Sequence, residues 1–130
     1  MDRPPHAGLR HLALNTPNLD AMKRFYVDVL GFAVEWEPDA DNVYLSSGVD
    51  NLALHRVAVA PAGASPLDHL GLIVRQADDV DRWAAFLESR GVTVQSKPRT
   101  HRDGARSLYC RDPDGNGVQI IHHPPISGKG

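Results

Sequence analysis

The 130-residue chain contains 42% apolar and 23% charged residues, which is typical of a folded globular protein and not of a disordered segment. Its net charge of −2, without any cluster of basic residues, argues against nucleic acid as a partner. The single cysteine, Cys110, excludes an intrachain disulfide, and no apolar run approaches the roughly 18 residues of a membrane span. We therefore expect a cytoplasmic protein that contacts neither nucleic acid nor a membrane.

The first predicted element is a strand over residues 9–15, where apolar and polar side chains alternate. A helical spacing of apolar residues follows from Leu19 to Leu30 and ends at Gly31, a residue type common at helix termini. Three strand-like runs come next, at residues 32–37, 43–47 and 51–59.

A segment rich in proline, glycine and alanine, residues 58–68, indicates a linker between two modules. We predict one domain with module 1 at about 8–59, the linker at about 60–67 and module 2 at about 68–124. The second module repeats the element order of the first. Its predicted elements are a strand at 69–75, a helix at about 79–90 and strands at 92–96, 106–111 and 117–122.

The starts of the two modules are similar in sequence. HLALNT (residues 11–16) and HLGLIV (69–74) each open with a histidine, and each precedes a helix that ends in glycine, at Gly31 or Gly91. An internal repeat of this kind sets the architecture. Since one module alone would leave an unpaired sheet edge and a poorly covered face, we expect an α+β fold. In it, two tandem βαβββ modules form a curved mixed eight-stranded sheet with helices on the convex face.

Alternation along the strands predicts which side chains face the concave side of that sheet. With the leucines of both repeated strands under the helices, His11 and His69 face the concave side, where the small residues Ala13 and Gly71 leave room for a ligand. The same count adds Ala53, His55, Gln119 and Ile121 to this face. We expect five of these side chains to converge on one cavity: His11, Ala53, His55, His69 and Gln119.

Together with the two strand-opening histidines, the segments FYVDVLGF (25–32) and SLYCRDPDGNGVQI (107–120) resemble the vicinal oxygen chelate superfamily. This superfamily includes glyoxalase I, extradiol dioxygenases, fosfomycin-resistance enzymes and bleomycin-binding proteins. The resemblance covers nearly the whole chain and implies the fold that the repeat predicts.

The resemblance also implies a metal site. In the metal-dependent members the ligands come from the first and last strands of each module, which correspond here to His11, Ala53, His69 and Gln119. Alanine cannot bind a metal, but extradiol dioxygenases leave that position unused and hold the ion with two histidines and a glutamate. We therefore expect His11, His69 and Gln119 to bind a divalent metal ion (Fe, Mn, Ni or Zn), with an amide in place of the carboxylate.

Other residues receive roles from the same resemblance. Tyr109 and His101 lie where ring-cleaving members carry an active-site tyrosine and a further histidine, and both are candidate catalytic residues. The predicted substrate-binding residues are His55, Ala53 and Ala13.

The charge of the predicted site favours a particular ligand class. Two imidazoles and an amide leave the ion its full +2 charge, whereas a site with one carboxylate would leave +1. We therefore expect an anionic ligand with vicinal oxygen atoms, bound cooperatively with the metal. The lack of Glu or Asp at Ala53 and Gln119 argues against proton-shuttling isomerases, although His55 could act as a base.

Three functions follow from the resemblance. A metal-dependent enzyme with extradiol-dioxygenase-like chemistry ranks first, because the three-ligand pattern fits it best. The alternative is a metal-free small-molecule-binding or drug-resistance protein of the bleomycin-resistance type, which the missing carboxylates favour. Metal-dependent transfer to an antibiotic ranks third. The resemblance also implies a homodimer, and the site could lie within one chain or be completed by the partner.

Overall fold

The computed structural model describes residues 1–3, 9–59 and 67–129. The chain divides into two compact units, Met1–Ala60 and Pro61–Gly130. The predicted linker at about 60–67 lies outside the described residues except for Leu67. In the described part of the chain, no helix has both the length and the apolar character that a membrane span requires.

The first unit contains a four-stranded mixed sheet in the order β1-β4-β3-β2. Strand β1 runs parallel to β4, and the other two pairs are antiparallel. Helix α1 is extended by one π-helical segment that ends before Gly31, which has a positive φ of 82°. The elements in chain order are β1 (His11–Thr16), α1 (Leu19–Arg24), the π-helical segment (Phe25–Val29), β2 (Ala33–Asp39), β3 (Asn42–Ser46) and β4 (Asn51–Arg56).

The second unit repeats this topology with the order β5-β8-β7-β6, and again only the pair of first and last strands is parallel. Its elements are β5 (His69–Ile73), α2 (Ala77–Ser89), β6 (Ser96–Thr100), β7 (Arg106–Arg111), β8 (Gly117–His122) and α3 (Pro124–Ser127). The predicted α+β class with two tandem βαβββ modules is confirmed. The eight strands found in the described residues form two four-stranded mixed sheets.

Each sheet buries one face against its own helix, because alternate strand residues are apolar. In the first unit the helical segments and the sheet share a buried set: Met22, Tyr26, Val43, Leu45, Leu52 and Leu54. In the second unit α2 packs on β6, β7 and β8. Its buried set comprises Val80, Leu87, Leu108, Cys110, Val118 and Ile120. The opposite faces carry the candidate site residues.

One predicted strand is wrong. The sequence analysis predicts it at residues 92–96, but the strand is Ser96–Thr100. Val92 instead donates a backbone hydrogen bond to Leu87 at the end of α2 (2.9 Å). Strand β6 is an edge strand, where pairing with β7 decides the structure and Pro98 is tolerated. Helix α3 was not predicted.

Candidate functional site

The open face of the second sheet forms part of a cavity of about 510 Å³, a size suited to a small molecule. Parallel pairing of β5 with β8 sets Gly71 beside Gln119 and Ile73 beside Ile121. The loop after β6 and the residue after β8 complete the wall. The lining residues are His69, Gly71, Ile73, His101, Asp103, Ala105, Gln119, Ile121 and His123.

Three predicted site residues of the second module, His69, Gln119 and His101, therefore share one cavity. The sequence analysis missed the carboxylate of Asp103 and the imidazole of His123 in this wall. Asp103 lies two residues after His101 in a charged loop, and its Oδ1 accepts a hydrogen bond from the backbone N–H of Ala105 (3.0 Å). The only sequence signal for Asp103 was its closeness to His101.

Gly71 leaves the floor of this cavity open. A Cβ atom at this position would lie 3.7 Å from Oε1 of Gln119 and 3.8 Å from Cγ2 of Ile121. These are ordinary van der Waals distances, so alanine would fit there, whereas a branched side chain would fill space above the amide of Gln119.

His69 is held on two sides. Its Nδ1 atom lies 2.6 Å from Oδ2 of Asp68, and its ring meets the ring of Tyr109 edge-on with centroids 5.3 Å apart. Tyr109 is also the strand partner of Gln119. The predicted residues Tyr109, His69 and Gln119 are thus neighbours, although Tyr109 does not belong to the cavity wall.

The ring of His101 has a hydrogen-bond partner at each nitrogen. Nη2 of Arg99 lies 3.2 Å from Nδ1, and Oγ of the buried Ser107 lies 2.8 Å from Nε2. Because a guanidinium group only donates, Nδ1 must accept and Nε2–H donates to Ser107. In this arrangement His101 has no free nitrogen with which to accept a proton. Sequence reasoning missed both partners.

In the first unit, four predicted site residues lie on the open face of the sheet. Strand pairing sets Ala13 beside Ala53, while His11 pairs with Asn51 at one end of the two strands and His55 pairs with Asn15 at the other end. Ala13 is exposed, but Ala53 is only 1% exposed. The Nδ1 atom of His11 lies 2.8 Å from Oδ1 of Asn51.

His55 belongs to an aromatic group that the sequence analysis did not predict. Its Nδ1 atom lies 2.6 Å from Oδ1 of Asn42, and its ring meets that of Tyr44 edge-on at 5.8 Å. Tyr44 in turn stacks on Trp36, with centroids 5.2 Å apart and planes inclined by 21°. Trp36 is 60% exposed, so this stack presents an aromatic surface to solvent.

The donor chemistry of the predicted metal ligands fits a divalent ion. His11 and His69 both bond through Nδ1, which leaves Nε2 as the ligating atom, and Gln119 offers an amide oxygen. Within the described ranges, no three His, Cys, Asp or Glu side chains are grouped as a metal site would require. The predicted donor set contains only two residues of those four types.

Cys110 has no catalytic environment. It is fully buried on the helix-facing side of β7, and this burial, with a smaller contribution from the charge of Asp112, raises the pKa of its thiol to about 11. The thiol is therefore protonated at neutral pH and does not act as a nucleophile.

Comparison with known proteins gives one family match over most of the chain. The family model described as the Glyoxalase/Bleomycin resistance protein/Dioxygenase superfamily matches residues 8–120. Among solved structures, that of lactoylglutathione lyase from Agrobacterium tumefaciens superposes with a TM-score of 0.79 and 26% identity. The match covers 95% of this chain and 98% of that one.

Curated relatives include ring-cleaving dioxygenases. The biphenyl-2,3-diol 1,2-dioxygenase 3 of Rhodococcus globerulus is 32% identical over 123 residues, which cover 86% of this chain and 61% of the relative. The manganese-dependent 2,3-dihydroxybiphenyl 1,2-dioxygenase of Geobacillus genomosp. 3 is 26% identical over 113 residues. That match covers 86% of this chain and 35% of the relative. The chain thus spans about a third to three fifths of the length of these two enzymes.

Proposed function

The chain belongs to the Glyoxalase/Bleomycin resistance protein/Dioxygenase superfamily, and from this premise we propose that it is a metal-dependent enzyme with extradiol-dioxygenase-like activity. The substrate would be a small molecule with two adjacent oxygen atoms. The observation that carries the proposal is the cavity of about 510 Å³ in which His69, His101 and Gln119 share one wall. The names of the dioxygenase relatives support the reaction class.

In this proposal His11, His69 and Gln119 hold the divalent ion, which remains Fe, Mn, Ni or Zn. When bound, the ion would supply Lewis-acid chemistry at the two substrate oxygens. One of these relatives is named as a manganese-dependent enzyme, so Mn²⁺ is the first ion to test. Because Gln119 is neutral, an anionic chelating ligand would complete the charge balance, so metal and substrate would bind cooperatively.

His101 and Tyr109 are the residues that would move protons at the substrate. His101 lines the cavity, but its Nδ1 is occupied by Arg99 and its Nε2–H by Ser107. It would therefore accept a proton at Nδ1 only after the hydrogen bond from Arg99 is exchanged for one to substrate, whereas Nε2–H could only donate. The ring of Tyr109 contacts that of His69, which places it beside a proposed metal ligand.

The experiment measures bound metal and oxygen-dependent turnover. Purified protein is reconstituted anaerobically with Mn²⁺ or Fe²⁺, assayed for metal content, and exposed to 2,3-dihydroxybiphenyl and O₂ while oxygen uptake is recorded. We expect stoichiometric metal and oxygen uptake, both lost in His69→Ala. His122→Leu is the matched control, because it removes a histidine from the helix-facing side of β8. Oxygen uptake without retained metal, or metal without any turnover of catechols, would contradict the proposal.

A second candidate function is metal-free binding of a planar ligand, of the bleomycin-resistance type. The exposed Trp36 stacked on Tyr44 favours it, because an exposed indole face binds flat or cationic groups. Quenching of Trp36 fluorescence by a planar ligand, equal with and without metal and lost in Trp36→Ala, would support this function. The same quenching in the Trp83→Phe control would assign the signal to Trp36.

A further inference from the structure

We propose that Asn51 and Asp68 are positioning residues that set the tautomers of His11 and His69. Each of these two residues would keep the proton of its neutral histidine partner on Nδ1, which leaves the lone pair of Nε2 available for a metal. The role of these tautomers in metal binding rests on the proposed function, whereas the tautomers themselves are a property of the metal-free protein.

His11 and Asn51 belong to a chain of two hydrogen bonds. Oδ1 of Asn51 can only accept, so Nδ1 of His11, 2.8 Å away, must donate. The amide is oriented by its other end, because Nδ2 of Asn51 donates to Oε2 of Glu35 at 3.4 Å. The backbone of Asn51 is also held, since its N–H donates to the carbonyl of Arg10 (2.8 Å). A rotated amide would lose the bond to Glu35.

His69 reaches the same state with a charged partner. The carboxylate of Asp68 can only accept, so Nδ1 of His69, 2.6 Å away, donates. The edge contact with Tyr109 restricts rotation of the imidazole. Since the side chain of Asp68 is 94% exposed, solvent screens its charge, and the hydrogen bond itself carries its effect.

These acceptors matter because a free neutral imidazole in water favours the opposite tautomer, with the proton on Nε2. A metal binds only a deprotonated nitrogen, so an acceptor at Nδ1 removes the free-energy cost of the tautomer change before the ion arrives. A carboxylate acceptor at Nδ1 also makes Nε2 a stronger electron-pair donor to a metal.

The molecule contains its own comparison cases. His55 has the same arrangement, with Oδ1 of Asn42 at 2.6 Å from Nδ1, but is not a proposed ligand. His101 has the reverse arrangement, because Arg99 donates to its Nδ1. The structure thus predicts one tautomer for His11, His55 and His69 and the other tautomer for His101.

Long-range ¹H–¹⁵N NMR of metal-free protein, at a pH where the rings are neutral, reads each tautomer directly. We expect Nδ1–H for His11, His55 and His69 and Nε2–H for His101. Asn51→Ala should move only His11 to the Nε2–H form, and Asp68→Ala only His69. Asp68→Asn keeps an acceptor and should leave the tautomer of His69 unchanged. Circular dichroism and Tm identify any variant that fails to fold.

Mn²⁺ titration of the same proteins supplies the second readout. We expect Asn51→Ala and Asp68→Ala each to weaken Mn²⁺ binding by about 10- to 100-fold, the range typical of residues that orient metal-bound histidines. Asp68→Asn should weaken it less than Asp68→Ala. Asn42→Ala is the matched control, because it should change the tautomer of His55 without changing the Kd for Mn²⁺.

The two readouts separate the inference from the proposed function. Folded Asn51→Ala and Asp68→Ala proteins with the wild-type tautomers would overturn the inference even if Mn²⁺ binds. Shifted tautomers with an unchanged Kd for Mn²⁺ would overturn the assignment of these residues to metal binding. A wild-type protein that binds neither Mn²⁺ nor Fe²⁺ would overturn the proposed function, while the NMR result would still decide whether Asn51 and Asp68 set the tautomers.

Discussion

The two units have the same topology but carry different chemistry on their open faces. Register makes Tyr44 and Tyr109 equivalent, because Tyr44 pairs with Ala53 and Tyr109 with Gln119. The ring of Tyr109 contacts the ring of His69 beside a polar cavity, whereas the ring of Tyr44 contacts that of His55 and stacks on the exposed Trp36. A repeated scaffold therefore conserves strand pairing and core positions while the open faces diverge.

The largest expected effect tests whether the two buried cores contribute equally to the free energy of unfolding. Leu54 and Ile120 occupy equivalent positions on β4 and β8, and both are fully buried. We expect Leu54→Ala and Ile120→Ala each to lower the free energy of unfolding by about 2–5 kcal/mol, measured by urea denaturation. Loss of one transition while the other remains would show that the units unfold independently.

The next effect concerns the two strand-opening histidines. If both modules supply one ligand, His11→Ala and His69→Ala should each weaken Mn²⁺ binding by more than about 100-fold, beyond the range of the orienting residues. Calorimetric titration measures the affinity, with His122→Leu as the common control. A large loss in only one of the two variants would mean that the metal belongs to one module.

A smaller effect should distinguish the two open faces as ligand sites. Gly71 and Ala13 are equivalent positions, and Gly71 lines the cavity of the second unit. We expect Gly71→Val to weaken ligand binding by about tenfold, or 1.4 kcal/mol, because the side chain would fill space above Gln119. Ala13→Val should have the smaller effect. Equal losses would indicate that the predicted role of Ala13 in substrate binding matches that of Gly71.

A stabilising substitution is expected at the end of β8. The buried Nδ1 atom of His122 has no hydrogen-bond partner among the described residues. Arg56, its equivalent on β4, pairs with Asp41 at 3.2 Å. An unsatisfied buried nitrogen is costly, so His122→Leu should raise the free energy of unfolding by about 1 kcal/mol in chemical denaturation. A decrease would show that the imidazole contributes more by packing than it costs.

The smallest expected effect is on Cys110, the counterpart of Leu45 in the other sheet. With its pKa raised to about 11, the thiol stays protonated and unreactive at pH 8. A thiol reagent should therefore not label the native protein and should label it fully in denaturant. Rapid labelling of the native state would mean that the second core opens more readily than its burial implies.

Sequence reasoning predicted much of the fold because the repeat and the alternation of side chains are local patterns. The strands at 106–111 and 117–122 have the predicted bounds, since the turn DPDGNG separates two clear apolar alternations. It failed at β6, whose polar residues SKPRT carry no strand pattern. That strand forms because it pairs with β7, and local periodicity of apolar residues does not predict such pairing.

The sequence by itself determined the tandem βαβββ order and the predicted sheet face of the strand histidines His11, His55 and His69, because both depend on spacing along the chain. Only the tertiary structure decided which atoms those histidines meet. Asn51 lies 40 residues from His11 and reaches its imidazole through the register of β1 and β4. Arg99 and Ser107 are close to His101 in sequence, but they contact its ring because β6 and β7 pair as a hairpin around it. Since a hydrogen-bond partner decides which ring nitrogen carries the proton, the chemistry of each histidine depends on these tertiary contacts.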